Sequence, residues 1–267
     1  MFRFSPILLL AALLCITHSP AQASGGDDRS PSFTTSYMLG SPLGSMNYTI
    51  NRVHSFHLAY EIPLGKSPLT FGFEMGVGSY GREKTDQYYR FDNGDQMLAP
   101  VSVTNNMVQA GLALNYIPMP SSWVSPVLTA RLGGARLGTH LSIEDPRESH
   151  TVDCPVPLVS ETLQRDLSFT YGLGAGLRFD LGRAFPSLDN NRFFLILSAN
   201  YLAGTPVSYM SVNPPQHAFN TGEGVESVNI RFASEAQPEI HHEYHSGYLY
   251  RTRLEMVQFG FGITMTF

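Results

Sequence analysis

Apolar and polar residues alternate along much of this chain. Between positions 165 and 182 the odd positions are Leu167, Phe169, Tyr171, Leu173, Ala175, Leu177, Phe179 and Leu181. The even positions are Asp166, Ser168, Thr170, Gly172, Gly174, Gly176, Arg178 and Asp180. Successive side chains of a strand point to opposite faces, so this period predicts a strand with one apolar face and one small, polar face. Positions 69–78 repeat the scheme, with Leu69, Phe71, Phe73, Met75 and Val77 opposed to Thr70, Gly72, Glu74, Gly76 and Gly78. Positions 107–117 follow it with Val108, Ala110, Leu112, Leu114 and Tyr116 on the apolar side. The last stretch sets Val257, Phe259, Phe261, Ile263, Met265 and Phe267 against Gln258, Gly260, Gly262, Thr264 and Thr266.

Further alternating segments lie at 53–62, 124–143 and 192–205. Their connections are of two kinds. Those at 64–68, 118–123 and 183–191 are short and rich in Pro, Gly, Ser or Asn, the composition of turns. Those near 82–100, 144–164 and 207–246 are long and polar. Seven strands would leave the two ends on opposite sides. A strand at 31–39, with Phe33, Tyr37 and Leu39 on its outer face and 41–49 as a first outer loop, makes the count eight. Ten is the alternative. Within 124–143 the apolar phase shifts from even positions (Leu128, Ala130, Leu132) to odd ones (Leu137, Leu141, Ile143) around Gly133 and Gly134. A β-bulge there would invert the faces. The reading we favour is that residues beyond about 135 project above an apolar layer, where the alternation relaxes.

The chemistry of the two faces identifies their surroundings. A soluble sandwich or barrel stocks its polar face with lysine, glutamate and other large polar residues. Here that face is mostly Gly, Ser and Thr, as suits the crowded lumen of a narrow barrel whose apolar face meets lipid. Only a closed barrel lets strands cross lipid with every backbone group paired. The expected fold is therefore all-β: a closed antiparallel up-and-down transmembrane β-barrel of eight strands over 31–267, with short turns on the periplasmic side and long loops outside. Tyr60, Tyr80, Tyr116, Trp123 and Tyr201, near strand ends, fit interfacial aromatic girdles.

Composition narrows the function classes. Charged residues are 15% of the chain, below the ~25% of soluble domains. Of the 17 basic residues only Lys66 and Lys84 are lysines. A formal charge of −5 gives no general basic footprint for nucleic acid. No segment of 24–267 approaches the ~20 consecutive apolar residues of a spanning helix. Residues 1–23 read as a cleaved secretory signal, with Arg3, an apolar run at 6–16 and Ala21-Gln22-Ala23, and 24–30 as a short leading segment. Cys15 lacks the small preceding residue of a lipoprotein site, and Cys154 reads as a loop thiol. The expected location is the bacterial outer membrane.

Val257, Phe259, Phe261, Ile263, Met265 and the terminal Phe267 resemble the C-terminal signal by which outer-membrane proteins are recognised for barrel assembly. The unit from Tyr60 to Lys66, followed by 69–78, is similar to a descending strand, turn and ascending strand of the outer-membrane β-barrel domain family, the small PorT-like and OmpX-like barrels. The resemblance implies lipid, the barrel-assembly machinery and periplasmic chaperones as partners. It leaves the activity open, because a fold does not settle function.

Four clusters carry candidate chemistry. Glu239, His241, His242, Glu243 and His245 offer metal-binding groups, His241 and His245 foremost, but His242-Glu243-Tyr244-His245 is not the H-E-x-x-H motif, and we read it as an exposed polar loop. His140 and Ser142, two apart on one strand face with Glu144 or Glu148 beyond, present a base and a nucleophile. Lipid A deacylases use a His-x-Ser pair with a rim glutamate, but Ile143 stands where that family carries asparagine. His54, Ser55 and His57 are a weaker set, since His54 and Ser55 face opposite ways. Glu74, Arg131, Arg178 and Asp180 fall on lumen-facing positions, where charges are expected to pair. No cofactor is implied. The leading expectation is a structural or surface-binding barrel acting through its outer loops, where Val225, Val228, Ile230 and Phe232 suggest a hairpin. A lipid-modifying enzyme and a small pore are the alternatives.

Overall fold

The computed structural model describes residues 30–90, 94, 96–120, 122–144, 157–185, 192–214, 225–233 and 241–267. The signal-like segment, Cys15, Cys154, Glu148 and Glu239 lie outside the described residues. Nine strands are present among them: β1 (Ser32–Pro42), β2 (Val53–Pro63), β3 (Leu69–Arg90), β4 (Gln96–Tyr116), β5 (Val124–Glu144), β6 (Pro157–Asp180), β7 (Arg192–Ser211), β8 (Glu226–Ala233) and β9 (His241–Thr266). Each of β1 to β6 pairs antiparallel with its successor. β7 pairs with β9, and β9 pairs with β1 from Ser32 opposite Thr266 to Pro42 opposite Met256. Eight strands close the barrel, as the alternation predicted, and the N-terminal strand is the one that closes it. β8 is the addition. It pairs with the upper part of β9 on the edge that β1 occupies lower down. This is the hairpin expected around Val228 and Ile230.

The short connections are held by local bonds. Leu64 N–H donates to the Leu69 carbonyl, and Gly65 takes the left-handed conformation (φ 58°) that closes this turn. Asp180 accepts from the Gly182 amide and caps one helical turn, Leu181–Ala184, before β7.

The strands are longer than the alternating segments suggested. Most of 82–100 and much of 144–164 and 207–246 is strand, so the long polar loops of the sequence reading are corrected to strand extensions on one end of the barrel. In the lower part the outward side chains are apolar and open: Leu173 is 69% exposed, Phe261 54% and Phe73 51%. The inward ones are small or polar. Above this belt the polarity inverts. The inner face becomes a packed apolar core of Met46, Ile50, Val53, Tyr80, Met107, Leu137, Tyr209, Tyr250, Leu254 and Met256. A second cluster, Val101, Val103, Leu141 and Ile143 with Val159 and Leu163, sits between the extensions of β4, β5 and β6. The outer face there carries polar and charged side chains such as Arg82, Lys84 and Arg136.

β5 shows how this happens. Its registers with β4 and β6 run unbroken through Gly133 and Gly134, so there is no bulge at those positions. Odd positions face inward along the whole strand. Arg131 and Thr129 do so below, Leu137 (1% exposed) and Leu141 above. The side that faces in never changes; its chemistry does. The alternation therefore does not relax above the belt but inverts. In β3, β6 and β7 the register does shift, at Tyr80, at Leu163 and between Ala203 and Pro206, all near the upper edge of the belt. Bulges concentrate at barrel rims because they let a strand bend where pairing geometry changes.

Candidate functional site: the lumen, its cap and the outer rim

Strand phase dictates which groups enter the lumen. On β2, Phe56, Leu58, Tyr60 and Ile62 point outward, so Ser55, His57 and Glu61 point in. On β3 and β5 the inward phases carry Glu74 and Arg131. These two form an ion pair with Arg131 Nε 3.3 Å from Glu74 Oε2, both largely buried. The pairing expected of lumen charges is met for this couple. Arg178 lies over the Phe194 ring, 4.2 Å from its centroid, and donates to the Pro120 carbonyl at 3.1 Å. Asp180 shares the inward phase but sits at the lower rim, where it caps the helical turn and stands 3.5 Å from Arg183.

Sequence reading missed Glu61 and set Ser55 and His57 aside, with His54, as a weaker set. Ser55 Oγ lies 3.0 Å from His57 Nε2, and the Thr70 hydroxyl donates to Glu61 at 3.2 Å. The phase of β2 held that signal, because the outward apolar positions fix the others inward. The His57 ring packs flat over Gly76, where a Cβ would fall 2.6 Å from it. Between the neighbouring strands β4 and β5, Thr129 donates to Asn115 at 2.7 Å, and across the lumen the Gln258 amide donates to Gln109 at 3.3 Å. Between Glu61, Glu74, Arg131 and Arg178 a cavity of about 80 Å³ remains, room for several waters.

The lumen is capped from above. The β1–β2 connection, expected as an outer loop, folds into the barrel mouth as a 3₁₀ turn at Gly44–Tyr48 and buries Met46. Thr49 Oγ1 lies 2.7 Å from Tyr209 Oη, while Ser211 Oγ and Asn213 Nδ2 both donate to the Thr49 carbonyl. Tyr80 is corrected from girdle residue to core residue. It is the bulged position of β3, points inward and meets Tyr209 edge-on at 6.4 Å. Burial raises the pKa of both phenols, and Tyr250, stacked on Tyr209, is pushed up to about 12 by burial and its tyrosine neighbours. These hydroxyls stay protonated and serve as hydrogen-bonding core residues. Tyr116, Trp123 and Tyr201 do stand exposed on the outer surface.

The two remaining sequence candidates are placed apart from any assembled site. His140 and Ser142 lie on the outer face of β5 above the belt. The His140 ring contacts Ser160 of β6 (Nε2 to Oγ, 3.3 Å), and no hydrogen bond joins it to Ser142 among the described residues. Glu144, which could have oriented the base, stands 3.6 Å from Lys84. Burial lowers the His140 pKa below its ordinary value, so the ring is neutral at pH 7. His241 and His245 are backbone neighbours of Ala233 and Asn229 on β8. His245 Nδ1 lies 3.0 Å from Asn229 Oδ1. No group of three potential metal ligands is present among the described residues.

No family model and no curated protein matches the sequence. Solved structures to which the chain is similar include Neisserial surface protein A, at 11% identity over 89% of this chain and 96% of that one, with a TM-score of 0.44. The attachment invasion locus protein Ail of Yersinia pestis is similar at 14% identity over 89% and 97%, with a TM-score of 0.32. The outer membrane protease OmpT of Escherichia coli is similar at 9% identity over 93% and 100%, with a TM-score of 0.34. The eight-stranded antiparallel barrel itself is established by this chain's own strand registers.

Proposed function

We propose that this chain is an integral β-barrel of the bacterial outer membrane, of the small PorT-like and OmpX-like kind that residues 60–78 resemble, and that its role is structural or surface-binding. The observation that carries this reading is the inversion of polarity along continuous strands. An apolar outer belt around a polar lumen suits lipid, and a polar exterior around an apolar core suits water; one strand set holds both. The free energy of burying the upper core stabilises a rigid stalk above the belt, a platform of the sort that displays recognition elements. β8 offers such an element, because its second edge has no strand partner among the described residues and an extended segment could add to it. Binding is favoured over catalysis because His140 is engaged by Ser160 rather than Ser142. It is favoured over conduction because side chains fill the lumen and Met46 with its neighbours caps it. In this reading Val257, Phe259, Phe261, Ile263, Met265 and Phe267 serve assembly machinery and chaperones and then face lipid.

The reading is tested by folding the mature chain into phosphatidylcholine vesicles and running it on a detergent gel with and without boiling. A compact form that shifts on boiling, with no stable single-channel current in a planar bilayer, is expected. A chain that stays soluble without detergent would overturn the membrane assignment, and steady channel currents would replace the binding role by a pore.

A further inference from the structure

Just above the apolar belt, on one side of the barrel, the outward side chains change from leucine and phenylalanine to arginine. On β5 the outward series runs Leu128, Leu132, Arg136; on β6 it runs Leu173, Tyr171, Phe169, Leu167, Arg165; on β9 it runs Phe261, Phe259, Val257, Glu255, Arg253, Arg251. All four arginines are exposed. They lie close together. Arg136 is opposite Leu167 and Arg165 opposite Gly138, which makes the two arginines diagonal neighbours about 7–8 Å apart at the backbone. Ser208 of β7 is opposite Arg251, and it is clamped to β6 from both sides of Arg165: the Gln164 amide donates to its carbonyl at 2.6 Å and its own N–H donates to Asp166 at 2.7 Å. Arg165 and Arg251 thus flank Ser208, Arg251 on the strand paired with it and Arg165 between the two residues whose side chains hold it. Arg253 is held lower, donating to the Tyr171 hydroxyl and to the Gly204 carbonyl.

Two carboxylates stand near the four arginines and offset only part of their charge. Asp166 is committed to the backbone amides of Ser208 and Leu167, and Glu255 stands 3.6 Å from Arg253 alone. Arg136, Arg165 and Arg251 form no ion pair among the described residues. Arg136, Arg165 and Arg251 are thus exposed and outside any ion pair among the described residues, at the height where an apolar belt gives way to a polar surface. That height is where lipid headgroups stand, and guanidinium groups bind phosphate in paired hydrogen bonds.

We infer that Arg136, Arg165, Arg251 and Arg253 form a binding site for the phosphate of anionic lipid headgroups in the leaflet on the long-loop side. The site rests on the membrane-barrel reading above. It fixes the depth and tilt of the barrel and gathers anionic lipid on the β5–β6–β7–β9 side.

The test uses the mature chain and its Arg165→Gln/Arg251→Gln variant, folded into phosphatidylcholine vesicles containing spin-labelled phosphatidylglycerol or spin-labelled phosphatidylcholine. Electron spin resonance reads the protein-bound lipid fraction. Wild type should prefer phosphatidylglycerol, and the preference should fall by about 5-fold for each arginine removed, and with added salt. Equal association of the two lipids with wild type, or an unchanged preference in the variant, would overturn the site. Loss of the preference on adding inorganic phosphate, but not sodium chloride of equal ionic strength, would point to a soluble phosphate ligand and also overturn it. The heat shift on gels separates the two levels. A chain that folds in phosphatidylcholine but shows no preference loses only this site, whereas one that never folds there loses the barrel reading and the site together.

Discussion

Leu254 is the sharpest probe of the inverted upper barrel. It lies on the inward phase of β9 with 0% exposure, packed with Tyr209, Tyr250 and Met256 in the apolar core above the belt. Leu254→Ala removes three carbon atoms from a site that strands on both sides hold open, so the surroundings can close only partly around the cavity. Such changes cost about 3–5 kcal/mol, the sum of the lost transfer free energy and the cavity. With an unfolding slope of about 3 kcal/mol per molar urea for a chain of this size, the midpoint should fall by about 1–1.7 M. The assay is urea unfolding from vesicles, followed by fluorescence of the sole tryptophan, Trp123, which stands exposed at the opposite end. Trypsin cleavage after Arg251 and Arg253 reports on the upper part alone and should accelerate in the variant. A midpoint within about 0.2 M of wild type, with unchanged cleavage, would refute a packed apolar interior above the belt.

Glu74→Gln should destabilise the barrel by about 3 kcal/mol, because it leaves the Arg131 charge buried without its partner; the double variant Glu74→Gln/Arg131→Met should recover most of the loss in the same urea assay. Burial acts to raise the Asp166 pKa, but the Ser208 and Leu167 amides and nearby Arg251 outweigh it and hold the carboxyl below its ordinary 3.8. A depressed folded-state pKa stabilises above the ordinary value and is lost as pH falls through the folded one. Amide exchange at Ser208, corrected for intrinsic rate, should therefore rise below about pH 4 in wild type and show no such step in Asp166→Asn. Deleting Phe267 should lower the amount of heat-shifting barrel in outer-membrane fractions and raise periplasmic degradation, measured by immunoblot.

The lower barrel was legible in the sequence because one physical rule governs it: apolar outward, small or polar inward, at a period of two. Leu69 to Val77 and Val257 to Phe267 state that rule without exception. The upper barrel follows the same period with opposite chemistry, and that is why it was misread as loop. On β4, Val101, Val103 and Met107 are apolar on the odd phase, while Val108, Ala110 and Leu112 below are apolar on the even phase. A single strand crossing two solvents looks like the end of one element. The Gly133-Gly134 shift was the visible trace of this change. The lumen set was half legible. Glu74 and Arg131 stand in long alternating segments, whereas Glu61 stands at the end of a strand beside a turn, where a charged residue reads as surface. The arginine rim needed the closed topology, because β6 and β9 are brought to either side of Ser208 only when β7 pairs with both.

The most direct test of the two-solvent strand places nitroxide labels on one outer face at two heights, using Leu173→Cys and Ser208→Cys in a Cys154→Ser background in phospholipid vesicles. Collision with oxygen, which concentrates in lipid, and with a water-soluble nickel chelate reports the medium at each site. The account predicts that the label at 173 favours oxygen and the label at 208 favours the chelate. The same medium at both positions, whether lipid or water, would contradict it.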